Sequence, residues 1–284
     1  MHIDPAEKNA QPSSSTAPTP CKQTIKTQSL FGMEFSCLPL LDMADFLCQP
    51  MPNIPHGKLQ TLYTANIDHL GNWGQNTEFL NAYKNAHYRT IDGAPVALWA
   101  KLRGRTAIKR VPGSDLFTAI MPKLSPAHHR VFFICPTIEV GDHLRLWLIS
   151  HGFAQDNIAC SCPDFGFEND PKETALLLQE ILSHSPSHIF MGVGSPKSEI
   201  WLEQSLKPAY KDAQKTQNCY ALAIGASLEF FTGHVKRAPH WMRKFGLEWL
   251  HRLFSDPKRL AKRYIVGSWR ALKIFYKDLT GQAL

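Results

Sequence analysis

The hydrophobic positions along the chain follow two alternating spacings. Short apolar runs rich in β-branched and aromatic residues are typical of buried strands, and they lie at 59–65, 88–91, 130–135, 187–194 and 218–226. Between them, apolar residues recur every three or four positions, which indicates helices, at 76–87, 94–104, 139–152, 171–184 and 196–206. Strands that alternate with helices predict a Rossmann-like α/β fold, with a mostly parallel sheet and helices on both faces.

Both ends of the chain depart from this alternation. Residues 1–27 contain NAQPSSSTAPTP, which lacks the large apolar residues of a core, so we expect a disordered N-terminal tail. Two strand-like runs around Gly32 and a helical segment, LLDMADFLC, then begin the core. Beyond Phe231 only helical patterns remain, at 239–253 and 257–277. We therefore predict a tail at 1–27, an α/β core at 28–233 and a helical basic appendage at 234–284.

The positive charge of the chain is concentrated in this appendage. The formal net charge is +7, yet residues 236–278 hold twelve Lys or Arg against three Asp or Glu, so the rest of the chain carries about −2. An anionic partner is therefore expected at the C-terminal segment. A nucleic acid, an anionic membrane and a phosphorylated ligand all fit this charge.

The cysteine pattern and the absence of certain motifs indicate the cellular location of the protein and whether it requires a metal. Seven cysteines are scattered along the chain, and the single CxC at 160–162 has no second pair at zinc-finger spacing. We therefore expect reduced thiols and a cytoplasmic protein, without a signal peptide or an apolar run long enough to span a membrane. The sequence also lacks a DxD triplet, HExxH and a Walker loop, so its chemistry does not require a divalent metal.

Polar residues follow the predicted strands at the positions where parallel sheets bind ligands. Thr64 and Asn66 come directly after the strand at 59–65, and they either hydrogen-bond a ligand or cap the next turn. Asp92 follows the strand YRTI and precedes a helix. It is either a helix cap or a general base, whose pKa burial in a cleft would raise.

Two further segments fit the binding of an anion. Arg110 stands before a Pro-Gly turn, where it either reaches an anion at the same edge of the sheet or faces solvent. The turn GVGSPKSE places Gly194 and Ser195 at the start of a helix, with Ser195 as its expected cap. The N–H groups there suit a phosphate, although an ordinary strand–helix turn has the same pattern.

Several of these motifs occur together in one known family. The chain resembles the WecG/TagA/CpsF family of bacterial glycosyltransferases in the order and spacing of TAN, TIDGAPVALWA, KRVPGSDL, VFFIC, MGVGSPKSE and GHVKRAPHWMRKFGLEWLHRLFSDPKRLAKRY. The similarity runs from about Leu30 to about Arg270. It implies an inverting, metal-independent enzyme without a cofactor, which moves a sugar from a UDP-sugar to a polyprenyl-diphosphate-linked glycan in surface polysaccharide synthesis.

The resemblance also implies roles for individual residues. Asp92 is the expected general base, which takes the proton of the acceptor hydroxyl. Thr64 and Asn66 are expected to line the donor site, and Arg110 to lie near the phosphates. The remaining expected substrate-binding residues are Gly194, Ser195, Ser198, Glu229, Arg237, Arg243 and Arg252. The three arginines of the appendage are expected to close over the site and neutralise a diphosphate.

Two positions depart from the family's usual pattern. Ser198 stands where the family usually has Gln, and Glu229 where it usually has Asp. Both changes alter the reach of a side chain expected at the donor pocket. We infer a donor sugar other than N-acetylmannosamine, such as the unsubstituted hexose glucose, with loss of activity as the alternative.

Two classes of protein other than an active enzyme remain open. An RNA-binding module would use the same charge and aromatic residues, but the sequence carries no RRM, KH or helix-turn-helix signature, so we expect no nucleic acid. The second class is a membrane-docked scaffold that has lost catalysis. For the enzyme, Trp beside Lys and Arg predicts that 235–277 contacts an anionic membrane at the inner face of the cytoplasmic membrane. A homo-oligomer is also compatible with the sequence.

Overall fold

The computed structural model describes residues 25–49, 58–213, 217–244, 248, 250–251, 257–282 and 284. The predicted tail at 1–27 lies almost wholly outside this part of the chain, and the first strand begins at Thr27. A short antiparallel hairpin of strands β1 (Thr27–Leu30) and β2 (Met33–Ser36) opens the fold. Its tight turn carries Phe31 and Gly32 in the left-handed region, with φ of 55° and 70°.

A six-stranded parallel sheet forms the centre of the molecule, as the alternating pattern predicted. Its strands are β3 (Leu59–Ala65), β4 (Tyr88–Ile91), β5 (Val131–Ile134), β6 (Ile158–Ser161), β7 (His188–Met191) and β8 (Cys219–Ala223). They lie in the order β4-β3-β8-β7-β5-β6. Because the sheet is covered on both faces, its central strands β5 (VFFI) and β7 (HIFM) are buried along their whole length rather than at alternate positions.

Helices cover both faces of the sheet. On one face lie α1 (Leu40–Cys48), α5 (Gly113–Ile120), α6 (Ile138–Ser150) and α10 (Ser227–Thr232). The other is covered by α2 (Ile67–Trp73), α3 (Thr77–Asn85), α4 (Ala94–Leu102), α7 (Pro171–His184), α8 (Lys197–Trp201) and the C-terminal helix (Pro257–Thr280). A π-helical segment, Leu202–Leu206, joins α8 to α9 (Lys207–Asp212), and α11 (His240–Lys244) follows the core. The predicted mixed α/β architecture is therefore confirmed.

The sequence pattern missed two elements near the candidate site. Strand β6 reads IACS, too short and too weakly apolar to stand out. Helix α2 reads IDHLGNW, where Gly71 and a mixed polar pattern hide the helical period. The predicted helix at 239–253 is seen as α11, and much of its remainder lies outside the described residues.

The C-terminal helix packs closely on α2 through two glycines. A Cβ atom added to Gly71 would lie 2.6 Å from the carbonyl oxygen of Gly267, so only glycine allows this approach. Ala271 and Ile274 continue the contact into the hydrophobic core. The second half of the C-terminal helix is therefore part of the core packing.

Asp278 fastens the end of this helix to the β1–β2 turn and to the C-terminal end of α4. Its carboxylate accepts hydrogen bonds from the Phe31 backbone N–H at 2.9 Å and from Trp99 Nε1 at 2.9 Å. Arg103 Nε completes an ion pair with the same carboxylate at 3.1 Å. The side chain is mostly buried, so its charge is satisfied by these donors rather than by water.

The outward side of the C-terminal helix exposes large apolar residues. Trp269 is 70% exposed and Tyr276 62% exposed, with Leu272 and Leu279 also on the surface. Arg270 and Lys273 are exposed among them. Within the described residues, no helix is both long enough and apolar enough to cross a membrane.

Candidate active site

A large cleft opens at the carboxyl ends of the parallel strands. Its volume is about 1510 Å³, and residues following β3, β4, β7 and β8 line it. Val235, Lys236 and Ser268 contribute from the C-terminal segment. This is the edge at which open parallel sheets bind ligands, because the turns there present polar side chains and helix N-termini.

Most of the site residues expected from the sequence meet in this cleft. Those that line it are Thr64, Asn66, Asp92, Arg110, Gly194, Ser195, Ser198 and Glu229. Arg237 and Arg243 lie nearby but outside the lining, and Arg252 lies outside the described residues. Residues spread over more than a hundred positions of sequence are thus brought to one surface, while their roles stay predictions.

Asn66 caps helix α2 and turns its amide group toward a histidine. Its side-chain oxygen accepts hydrogen bonds from the backbone N–H groups of Asp68 at 3.0 Å and His69 at 3.1 Å. The amide nitrogen therefore faces the ring of His69, with Nδ2 and Nε2 3.5 Å apart. The helix-cap prediction for Asn66 is therefore confirmed, and Asn66 also lines the cleft, while its binding of a ligand stays a prediction.

His69, which lines the cleft, and the buried Tyr83 support the end of β3. The Tyr83 hydroxyl donates to the Thr64 carbonyl at 3.2 Å, and His69 Nδ1 lies 2.7 Å from the same hydroxyl. Since the single hydroxyl proton points to Thr64, His69 donates from Nδ1, and its Nε2 accepts from Asn66. Burial, followed by nearby acidic groups, raises the pKa of Tyr83 well above its ordinary value, so this hydroxyl stays protonated.

Asp92 lies beside Asn66 at the ends of two neighbouring strands. Strands β3 and β4 pair Ala65 with Ile91, and the Asp92 N–H donates to the Ala65 carbonyl at 2.8 Å. At Gly93, an added Cβ would lie 3.3 Å from Asn66 Cα, so the turn packs tightly. The half-buried Asp92 side chain lines the cleft, and a general base would need this position.

Arg110 connects this turn to the C-terminal segment. Its Nε donates to the Asp92 carbonyl at 2.7 Å, and a terminal nitrogen donates to the Arg243 carbonyl at 3.0 Å. These bonds fix the guanidinium at the cleft, next to Asp92 but bonded to its backbone. The sequence placed an arginine at this edge correctly, while its bond to the C-terminal segment could not be read from local pattern.

The GVGSPKSE turn differs in detail from its sequence-based prediction. The expected cap of α8 by Ser195 is wrong, because Pro196 occupies the N-cap position without a side-chain cap. Ser195 Oγ is buried without a hydrogen-bond partner among the described atoms. Ser198 is 1% exposed, and its hydroxyl donates to the Gly194 carbonyl at 2.7 Å. Gly194 has φ of 89°, which favours glycine at this turn.

Asp115 organises the arginines of the C-terminal segment. Arg237 pairs with its carboxylate at 2.7 Å, and Arg243 approaches the same oxygen at 3.5 Å. Arg237 also donates to the hydroxyl of Ser114, which lines the cleft. Local sequence pattern does not predict these ion pairs, because they join residues far apart in the chain.

Several cleft residues were not singled out in the sequence. Asp68 and His69 follow Asn66 in the missed helix α2, and recognising Asn66 as a helix cap would have pointed to them. Phe165 is 99% exposed on the rim, with Lys197 Nζ 4.9 Å from its ring centre. Within the part of the chain that the structure describes, no three His, Cys, Asp or Glu side chains are grouped to hold a metal ion.

These features define an α/β protein with a polar ligand cleft at the carboxyl edge of a parallel sheet. The chain matches the Glycosyl transferase WecG/TagA/CpsF family over residues 28–283 and belongs to that family. The resemblance seen in the sequence motifs is therefore confirmed.

Two relatives show what similar proteins do. The chain is 29% identical over 192 residues to a protein of Bacillus spizizenii, covering 65% of this chain and 67% of the relative. It is 25% identical over 237 residues to a protein of Staphylococcus aureus, covering 82% of this chain and 86% of the relative. Both relatives are named N-acetylglucosaminyldiphosphoundecaprenol N-acetyl-beta-D-mannosaminyltransferase.

Proposed function

We propose that the protein is an inverting, metal-independent glycosyltransferase, which moves a sugar from a UDP-sugar to a polyprenyl-diphosphate-linked glycan. The names of both relatives contain such a lipid-linked acceptor. The observation that carries the proposal is the meeting of Asp92, Asn66 and Arg110 in one cleft of about 1510 Å³, in a chain of this family. This cleft has room for a nucleotide sugar and part of an acceptor.

The proposed reaction is a single displacement with Asp92 as general base. The oxygen of the acceptor hydroxyl attacks the anomeric carbon from the side opposite the diphosphate. As the new C–O bond forms, the bond from the anomeric carbon to the diphosphate oxygen breaks, and Asp92 accepts the hydroxyl proton. One displacement at this carbon inverts its configuration. Thr64 and Asn66 would hold the donor from the end of β3.

The leaving diphosphate would be stabilised by fixed positive charge. Arg110, Lys197 and Lys236 line the cleft and can meet its oxygens without a metal ion. Arg237 and Arg243 are further proposed phosphate ligands, because they lie beside the cleft residue Ser114 and a diphosphate would compete with Asp115 for them.

We further propose that the donor sugar is a hexose such as glucose rather than N-acetylmannosamine. The hydroxyl of Ser198 is used inside its own turn, so it reaches less far into the cleft than a glutamine would. Glu229 lines the cleft with a carboxylate one methylene longer than an aspartate. Both differences lie at the expected donor pocket. N-acetylmannosamine transfer is the alternative that the same experiment separates.

The site of action would be the inner face of the cytoplasmic membrane, where lipid-linked acceptors are available to a peripheral protein. The exposed Trp269 and Tyr276, with Arg270 and Lys273 between them, support contact with anionic lipid. The division into an α/β core and an appendage from 234 remains part of this proposal.

The test is acceptor-dependent release of UDP from a panel of UDP-sugars, with a lipid-diphosphate-linked mono- or disaccharide as acceptor. Turnover with UDP-glucose alone would support hexose transfer, and turnover only with UDP-N-acetylglucosamine plus its 2-epimerase would support N-acetylmannosamine. Asp92→Asn should lower kcat by roughly 100- to 10,000-fold, the usual contribution of a general base. The control is Asp156→Asn, an exposed aspartate away from the cleft, which should keep full activity. Wild-type kcat in Asp92→Asn would rule out the base.

A further inference from the structure

A second cavity adjoins the candidate active site and is lined by α6, α7 and the strands β5 and β6. Its volume is about 800 Å³, and none of the residues that line it also lines the active-site cleft. Three cysteines, a glycine and an arginine lie in its wall: Cys135, Cys160, Cys162, Gly141 and Arg145. No step of the proposed transfer reaction uses these thiols.

Two of the sulfur atoms converge under a glycine of α6. Cys160 lies in β6 opposite Phe133, and the Cys135 N–H donates to the Ser161 carbonyl at 2.8 Å. A Cβ atom added to Gly141 would lie 3.5 Å from Cys135 Sγ and 3.8 Å from Cys160 Sγ. The missing side chain therefore leaves space above both sulfurs. The Cys160 thiol donates to the Gly141 carbonyl at 3.5 Å and accepts from the Cys135 thiol.

The surroundings give the two thiols different reactivity. The hydrogen bond from Cys135 lowers the pKa of Cys160 against the opposing effect of burial, and the Arg145 guanidinium lowers it further. The same hydrogen bond and burial raise the pKa of Cys135. Cys162 is more exposed, but burial of its sulfur and the nearby Glu139 and Asp164 raise its pKa. Of the three thiols, Cys160 therefore loses its proton most readily, and the thiolate is the nucleophilic form.

We propose that Cys160 is a site of reversible modification by small disulfides, with Cys135 as the resolving thiol. The Cys160 thiolate attacks one sulfur of a disulfide such as oxidised glutathione, which forms a mixed disulfide and releases one glutathione thiolate. Cys135 then loses its proton and attacks the Cys160 sulfur, which forms an internal disulfide and expels the second glutathione. The protein loses two electrons and two protons, and the disulfide gains them.

The modification would lie one residue from the active-site cleft. Cys135 is bonded to Pro136, and Pro136 lines that cleft. Because Cys135 pairs through its backbone with Ser161, the internal disulfide would connect the ends of β5 and β6 covalently. The proposal concerns thiol chemistry alone, so it does not depend on the proposed transferase activity.

The test is exposure of the full chain to excess oxidised glutathione, followed by peptide mass spectrometry. We expect a disulfide between Cys135 and Cys160 in the wild type. Cys135→Ser should instead retain one glutathione on Cys160, because the resolving thiol is absent. Cys162→Ser is the matched control and should behave as the wild type. Preferential glutathione at Cys162, or none at Cys160 in Cys135→Ser, would overturn the proposal.

A second measurement separates reactivity from simple exposure. Arg145→Gln removes a guanidinium near Cys160 and should slow its alkylation by iodoacetamide about threefold or more, since less thiolate is present. Cys162 in the same protein serves as the internal reference, and its rate should not change. Equal rates at Cys160 in the variant and the wild type, with Cys162 faster than both, would count against Cys160 as the reactive thiol.

Discussion

Tyr83 shows how a buried hydroxyl can hold a predicted binding residue in place. Its proton goes to the Thr64 carbonyl, while His69 donates to its oxygen. Tyr83→Phe should therefore leave the Thr64 carbonyl and His69 Nδ1–H without their partner. Each unsatisfied buried group costs about 1–3 kcal/mol, so we expect a loss of that order in the free energy of unfolding, measured by urea denaturation.

A matched tyrosine tests whether this loss comes from the hydrogen bonds. Tyr276 is 62% exposed on the C-terminal helix, and Tyr276→Phe should change stability by less than about 0.5 kcal/mol, as exposed substitutions usually do. If both substitutions change the free energy of unfolding equally, the hydrogen bonds of the Tyr83 hydroxyl do not stabilise the fold.

At the level of residues, the sequence predicted the polar groups at strand ends better than the long-range ion pairs. Thr64, Asn66 and Asp92 follow strands directly, so the strand pattern alone placed them at one edge of the sheet. Arg237 and Arg243 were expected to face a ligand, yet both pair with Asp115 in this structure. Local pattern cannot show such pairs, because the partners are distant in sequence.

At the level of elements, the close contact of α2 with the C-terminal helix predicts that Gly71 is required for stability. A Cβ at Gly71 would meet the Gly267 carbonyl oxygen at 2.6 Å, and backbone cannot rotate away as a side chain can. Gly71→Ala should therefore push the two helices apart, which costs about 1–3 kcal/mol in the free energy of unfolding. Alanine stabilises a helix by about 1 kcal/mol relative to glycine, and this gain offsets part of the cost. The urea midpoint measures the net loss.

Gly74 provides the matched control, at the end of the same helix. An added Cβ there would lie 3.6 Å from Ile274 Cδ1, an ordinary contact, and its φ of −78° suits any residue. Gly74→Ala should therefore be neutral or slightly stabilising. If Gly71→Ala is as stable as Gly74→Ala, the two helices do not need glycine at their crossing.

At the level of elements, the sequence predicted the sheet and most helices but could not show how the C-terminal helix packs. Its 3.6-residue period indicated a helix at 257–277, and the structure has one at Pro257–Thr280. Its charge suggested a separate appendage. The contacts of Gly267, Ala271 and Asp278 with the core depend on tertiary fit, which periodicity does not encode.

For the whole molecule, a buried histidine should make stability depend on pH. Burial, with neighbouring His129 adding to it, lowers the pKa of His188 from 6.5 to about 3, against a hydrogen bond to the Leu47 carbonyl. Below pH 6.5 the unfolded chain therefore binds a proton that the native chain does not. Stability should fall with decreasing pH by up to about 1.4 kcal/mol per unit, before carboxylates titrate.

His188→Gln should reduce this acid slope, because glutamine does not take up the proton in the unfolded state. The exposed His151→Gln is the control, and its slope should match the wild type. Urea denaturation between pH 6.5 and about 4.5 covers the window that lies above the carboxylate pKa values. An unchanged slope in His188→Gln would assign the acid sensitivity to other groups.

The exposed surface of the C-terminal helix should bind the protein to anionic membranes. Trp269 and Tyr276 are 70% and 62% exposed on the C-terminal helix, with Arg270 and Lys273 beside them. Each basic residue near an anionic lipid surface contributes about 1 kcal/mol, and exposed aromatic rings add interfacial anchoring. The full chain should therefore co-sediment with vesicles containing phosphatidylglycerol, and less so with neutral vesicles or at high salt, because salt screens the charges.

Replacing the aromatic rings of Trp269 and Tyr276 tests whether vesicles bind this helix specifically or adsorb to any exposed apolar residue. Trp269→Ser with Tyr276→Ser should weaken vesicle binding about tenfold or more, while Leu146→Ser, at an apolar position that is 62% exposed on α6, should leave it unchanged. Both substituted positions are on the surface, so the fold should persist, which circular dichroism checks. Equal loss in the double variant and in Leu146→Ser would mean that the C-terminal helix is not the contact. Full binding in both would leave the basic charge alone as the source of membrane affinity, and removal of Arg270 and Lys273 should then abolish it.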